Sequence, residues 1–76
     1  MARYFFNVYD GLDLPDDTGT ELPDIAAVRA AAVRAAGEAI RDLGDRFWRI
    51  KEWRLDVTDD QGRQVLSLNF SGSMNS

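Results

Sequence analysis

Neither cysteine nor histidine occurs in this 76-residue chain, and the two absences remove most of the chemistry available to a small protein. Without cysteine there is no disulfide to supplement the core and no thiolate to hold a metal. Without histidine as well, the commonest general base, the thiolate nucleophile and the usual zinc ligands are all missing. The glycines at 11, 19 and 37 match neither the dinucleotide nor the P-loop spacing, and the serines fall mostly at the C-terminal end. Carboxylate-only acid–base work around Asp10–Glu21 is the one catalytic route left, and nothing nearby builds a cleft for it. The expectation is a non-catalytic protein with no cofactor and no bound metal.

Long apolar runs are also lacking. No window approaches the ~20 consecutive apolar residues that span a bilayer. The first residues, MARYFFNVYDG, show neither the apolar stretch nor the small-residue cleavage site of a signal peptide. The expectation is a cytoplasmic chain that makes no use of a membrane. Thirteen acidic against nine basic residues leave a net charge of −4, which sets the surface against generic nucleic-acid binding.

What is present is aromatic and aliphatic: four Phe, two Trp and two Tyr must do most of the stabilising. For one domain of this size the total is roughly 4–11 kcal/mol. Arg3–Tyr9 (RYFFNVY) reads as a strand, with Tyr4, Phe6 and Val8 toward the core and Phe5, Asn7 and Tyr9 on the other face. Asp10–Thr20 (DGLDLPDDTGT) is turn chemistry, with room for a brief strand at Leu12 and Leu14. Asp10, Asp13, Asp16, Asp17 and Glu21 crowd this stretch as a calcium loop would. The EF-hand pattern fails, however, since the sixth position counted from Asp13 is Thr18 rather than glycine. A solvated acidic turn is the reading.

Glu21–Leu43 (ELPDIAAVRAAAVRAAGEAIRDL) contains the only long helix, capped through Asp24 or opened by Pro23 and closed near Gly44. Ile25, Val28, Ala32, Ala36, Ala39, Ile40 and Leu43 form one apolar stripe, with Val33 at its margin. Alanine gives high helix propensity and lets the axis lie close to a sheet, whereas Gly37 costs about 1 kcal/mol for no evident reason. Arg29 falls inside the stripe, about 40° from Ile25 on the helical wheel. A guanidinium there needs a carboxylate or a route out to water, so the expected structural cluster is Arg29 with Asp10, Asp17 or Glu21.

Asp45–Glu52 shows no clean period. Arg46, Arg49, Lys51 and Arg54 interleave here with Phe47, Trp48 and Trp53. That composition either stacks bases and holds phosphate or plugs one end of the core with its basic heads wet. Trp53–Thr58 alternates strictly, Asp59–Gly62 is a hairpin connection, and Arg63–Phe70 returns with Leu66, Leu68 and Phe70 inward. Residues 71–76 are expected as a flexible tail after a single domain spanning 1–70.

The fold expected is α+β, one long helix on one face of a small, mostly antiparallel sheet of three or four strands. The helical crossover would make the first strand and Trp53–Thr58 roughly parallel, either adjacent or with the return strand inserted between them, the second arrangement being favoured. Phe5 and Tyr9 on the uncovered face, together with Trp48, Arg49, Trp53 and Arg54, make the candidate interaction surface. Its occupant would be a protein partner or a second copy of the chain.

In order and spacing, MARYFFNVYDG, PDDTGTELPD, AAVRAAAVRAAGE and LDVTDDQGRQVLSLNF resemble an uncharacterised family of short alphaproteobacterial proteins, a domain of unknown function. The shared pattern is M-x-R-Y-F-F, G-x-E-L-x-D before the helix, and D-x-x-G-R at the hairpin. The resemblance implies a bacterial cytoplasmic protein with no established activity. A fainter similarity to antitoxin-like domains implies the alternative, a nucleic-acid-associated regulator working through residues 46–54.

Overall fold

The computed structural model describes residues 2–75. Five strands and one long helix make an α+β domain. Strand β1 (Ala2–Tyr9) lies inside the sheet, β2 (Asp13–Leu14) and β3 (Thr20–Leu22) share one of its edges, and β4 (Glu52–Thr58) and β5 (Gln64–Ser71) follow on the other. Every pairing is antiparallel. Helix α1 (Ile25–Leu43) covers one face, and a 3₁₀ turn (Gly44–Arg46) leads into a single-turn helix, α2 (Phe47–Ile50). Among the described residues no helix is long and apolar enough to cross a membrane.

The strand order corrects the sequence-based expectation. β1 and β4 are adjacent and antiparallel, with Phe6 opposite Val57 and Val8 opposite Leu55, and β5 lies outside them. The reason is β3, which the sequence hides among turn residues. It brings the chain back to the start of β1, Ala2 facing Leu22, so α1 sets out from that end and delivers β4 at the far end. The parallel pair joined by the helix is therefore β3 and β4, with β1 between them. β1 and β4 each begin one residue earlier than expected. Eight residues reach about 27 Å, close to the roughly 28 Å of a 19-residue helix.

The core forms where the helix meets β1 and β4. Val28, Ala32 and Ala36 are buried against Tyr4, Trp53, Leu55 and Val57, and Phe6, Val8, Leu22, Ala39, Ile40, Leu43 and Phe47 fill in around them. Asp24 caps the helix by accepting the Ala27 N–H at 2.8 Å, and the Gly44 N–H donates to the Ile40 carbonyl at the other end. Ile25, expected inside, is 46 % exposed because it stands at the mouth of the first turn. Arg29 is exposed too, and it forms no ion pair among the described residues.

Two further departures lie in β5. Thr58 pairs with Gln64 while Val57 pairs with Leu66, so Val65 is an extra residue in the ladder. This bulge breaks the alternation and packs Val65 against the core, where strict period two had put it on the open face. At the other end the strand runs through Ser71, paired with Glu52, and the Gly72 N–H donates to the Lys51 carbonyl at 3.1 Å. A Cβ on Gly72 would meet Phe47 and Trp48 ring carbons at 2.9 Å. The first two residues of the expected tail are therefore fixed by a close approach that only glycine allows.

Two substitutions in α1 should act with opposite signs. Ala32→Leu forces bulk between helix and sheet and should lower unfolding free energy by about 1–3 kcal/mol. Nothing lies within 4 Å of a Cβ on the exposed Gly37, so Gly37→Ala should raise it by about 0.5–1 kcal/mol. Urea denaturation of both variants checks the pair.

Candidate interaction surfaces

The acidic loop is held as a clip on one edge of the sheet. β2 pairs with Val8 and Tyr9, and β3 with Ala2, Arg3 and Tyr4, so the middle of β1 has no strand along that edge. Asp16 fills the gap. Its Oδ2 accepts the Phe6 N–H at 3.0 Å, and its Oδ1 accepts the N–H groups of Thr18 at 3.1 Å and Gly19 at 3.0 Å. Its own N–H donates to Asn7 Oδ1 at 2.9 Å, and the Asn7 amide donates on to the Asp56 carbonyl at 3.3 Å. Burial pushes the Asp16 carboxyl up, but the donations from Gly19, Phe6 and Thr18 more than offset it and hold it below the ordinary 3.8.

The expected cluster around Arg29 does not assemble. Glu21 pairs with Arg3 at 3.1 Å across the β1–β3 ladder, Asp10 accepts the Leu12 N–H, and the Asp17 carboxylate meets the Thr18 hydroxyl. Each acid is taken up by its own turn or by the facing strand, and Arg29 stands on the far side of the domain, toward β5. Among the described residues no group of three or more Asp, Glu, His or Cys gathers to hold a metal ion.

The uncovered face is less open than its sequence implies. Gly19 adopts φ +78° where the loop folds over Phe5, and a Cβ there would stand 2.9 Å from the Phe5 ring and 2.8 Å from Arg3 Cγ. Tyr9 lies beneath the Arg54 guanidinium at 5.2 Å, and Arg54 Nε donates to Asp56 Oδ2 at 2.8 Å. Phe5 and Tyr9 are both half-buried by these contacts, which accounts for aromatic groups on a solvated face. A hollow of about 220 Å³ beside them is lined by Asn7, Tyr9, Asp13, Pro15, Arg54 and Asp56 among others.

The basic–aromatic stretch is divided between several places. Trp53 is 1 % exposed beneath the helix, edge-on to Phe70 at 5.7 Å. Phe47 packs against the core and stands edge-on to Trp48, which remains 38 % exposed. Arg54 belongs to the opposite face of β4 from Trp53, Arg46 donates to the Asp42 carbonyl, and Arg49 is exposed on α2. The six residues named from sequence thus lie on three different parts of the domain.

The edge opposite the acidic clip is not among the surfaces expected from the sequence. β5 pairs with β4 on one side, and no strand among the described residues pairs with its other side. From Gln64 to Ser71 it carries no charge and no proline. Beside it, Arg29, Ala32 and Val33 of α1 with Leu66, Ser67 and Leu68 of β5 line an apolar hollow of about 200 Å³. Val33 is 63 % exposed and Phe70 37 %. The signal that could have found this edge was the uncharged run VLSLNFS at the end of the last strand. Using that signal required knowing that β5 lies outside.

A helix on one face of an antiparallel sheet, with one sheet edge clipped and the other bare, defines a small α+β domain. The chain belongs to the family described as Domain of unknown function (DUF6894), whose model matches residues 3–71. No curated protein and no solved structure matches it.

Asp16 is the position at which to test the clip. Asp16→Ala should lower unfolding free energy by about 1–2 kcal/mol at pH 7 by orphaning the Phe6, Thr18 and Gly19 N–H groups. The folded-state value lies below the unfolded 3.8, so this stabilisation is complete above pH 3.8 and drains away as pH falls through the folded value. Denaturant melts should therefore show the gap between parent and variant closing in acid. An equal gap at pH 7 and pH 2.5 would place the loss elsewhere.

Proposed function

We propose that the chain is a small non-catalytic interaction module that takes its partner by strand addition along β5. One observation carries this reading: a bare edge with no charge and no proline along eight residues, in a chain whose other edge is clipped shut. Proteins blunt such edges with lysine, proline or a covering loop, because unpaired N–H and C=O groups template pairing with another chain. Among the described residues the one such device on β5 is the bulge at Val65, which leaves Leu66–Ser71 free to pair. Strand addition draws affinity from the backbone and specificity from alternate side chains, and the hollow beside Leu66 and Leu68 is placed to receive them.

The alternative is a nucleic-acid-associated regulator acting through residues 46–54. It has less support, because Trp53 is buried and Phe47 faces the core, which leaves only Trp48 to stack on a base.

Paired lysines at Ser67 and Asn69 put charge on the edge and should abolish capture of the partner from the native cell. Arg49→Glu with Arg54→Glu, and Phe5→Ser with Tyr9→Ser, should leave capture unchanged once circular dichroism shows each variant folded. Capture that survives the lysines and is lost on reversing the two arginines, with steep weakening in added salt, would favour the nucleic-acid reading.

A further inference from the structure

We infer that the strand added to β5 is the β5 of a second copy of this chain, paired antiparallel about a two-fold axis at Leu68. The inference rests on the strand-addition reading above and names its occupant.

Three features select a second copy. The first is the side-chain pattern. With the axis at Leu68, Leu66 lies opposite Phe70 of the other copy, Ser67 opposite its Asn69, and Leu68 opposite its own equivalent. Leu66 and Leu68 line the helix-side hollow and Phe70 stands edge-on to the buried Trp53, so apolar groups meet apolar groups on the helix side. Ser67 and Asn69, which lie one residue out of phase with them, meet on the open face. Both faces match in a single register. The second feature is the bulge at Val65, which leaves a regular ladder only beyond it. Leu66–Phe70 is the stretch that this axis pairs with itself, so the irregular residue falls outside the seam.

The third feature is charge. Two copies of a chain bearing −4 repel across most of their surfaces. Along Gln64–Ser71 there is no charge to oppose its copy. The charges beside it are Arg29 at the hollow and, one strand further in on β4, Arg54 and Asp56, which lie opposite Asn69 and Ser67 and pair with each other. Two-fold pairing would continue the sheet through the seam and bring both helices to the same side. The exposed Val33 and Phe70 of each copy would then border the joined hollow, and the bare edges would be consumed.

The chain has no cysteine, so engineered thiols report the register directly. Residues opposite each other in an antiparallel ladder have Cα atoms about 4.5–5.5 Å apart, within disulfide reach. A mixture of Ser67→Cys and Asn69→Cys proteins, gently oxidised, should give a cross-linked heterodimer. Either protein alone should cross-link far less, since like positions lie about 8 Å apart in this register. Sedimentation of the unmodified chain at micromolar concentrations should give a dimer, and the Ser67→Lys with Asn69→Lys variant a monomer. A monomer at every concentration up to 100 µM would overturn the inference, as would a mixture that cross-links no better than its components. If the unmodified chain is monomeric and the lysines still abolish capture of a different protein, the strand-addition reading stands and only the second copy falls. Capture unaffected by the lysines removes strand addition of a different protein, and a dimer that survives the lysines removes the second copy.

Discussion

The fold depends on how closely one helix can approach the sheet beneath it. Val28, Ala32 and Ala36 present little bulk, so the axis settles onto Trp53, Leu55 and Val57 and all six side chains leave water almost completely. Trp53 supplies much of the apolar area in that layer, and at this chain length few other groups can replace it. Because there is one long helix and hence one dry face, the reverse of the sheet must be compatible with water. The chain achieves this by engaging Phe5 and Tyr9 from within, under the Gly19 loop and the Arg54 guanidinium.

The same economy makes the two sheet edges unlike each other. On the β1 side, two short strands and a carboxylate share the backbone groups, and Asp16 serves where neither strand reaches. An acidic stretch that resembles a cation site from its composition is therefore occupied in holding its own backbone. On the β5 side nothing comparable exists among the described residues, and the edge is also the least charged stretch of strand. The site of interest is thus defined by what the fold leaves unfinished, while Asp10, Asp16, Asp17 and Glu21 of the acidic loop are engaged by their own turns or the facing strand.

Much of the fold was legible in the sequence. The helix, its Asp24 cap, the inward faces of β1 and β4 and the hairpin at Asp59–Gly62 all follow from local periodicity and turn chemistry. Strand order was not legible, because a three-residue strand such as Thr20–Leu22 carries too little pattern to be seen, and it reverses the direction from which the helix starts. Arg29 was misplaced because a helical wheel gives an angle but not the width of the sheet beneath. At 40° from Ile25 the residue falls beside β5 at the margin of the sheet and is exposed to water. The candidate surface was the least legible part. Trp48, Trp53 and Arg54 are near neighbours in sequence, but a turn ending at Lys51 with φ +58° and the strand alternation after it send them to different places. The bare edge becomes visible only once β5 is known to lie outside.

Amide hydrogen exchange measured across a range of protein concentration tests the central claim most directly. Among the described residues no strand pairs with the outer amides of β5, whereas the edge of β1 is satisfied by β2, β3 and Asp16 at any dilution. Protection within Leu66–Phe70 should rise with concentration while the Phe5–Tyr9 amides stay constant. Protection in β5 that is independent of concentration, or a concentration-dependent change confined to Phe5–Tyr9, would contradict the account.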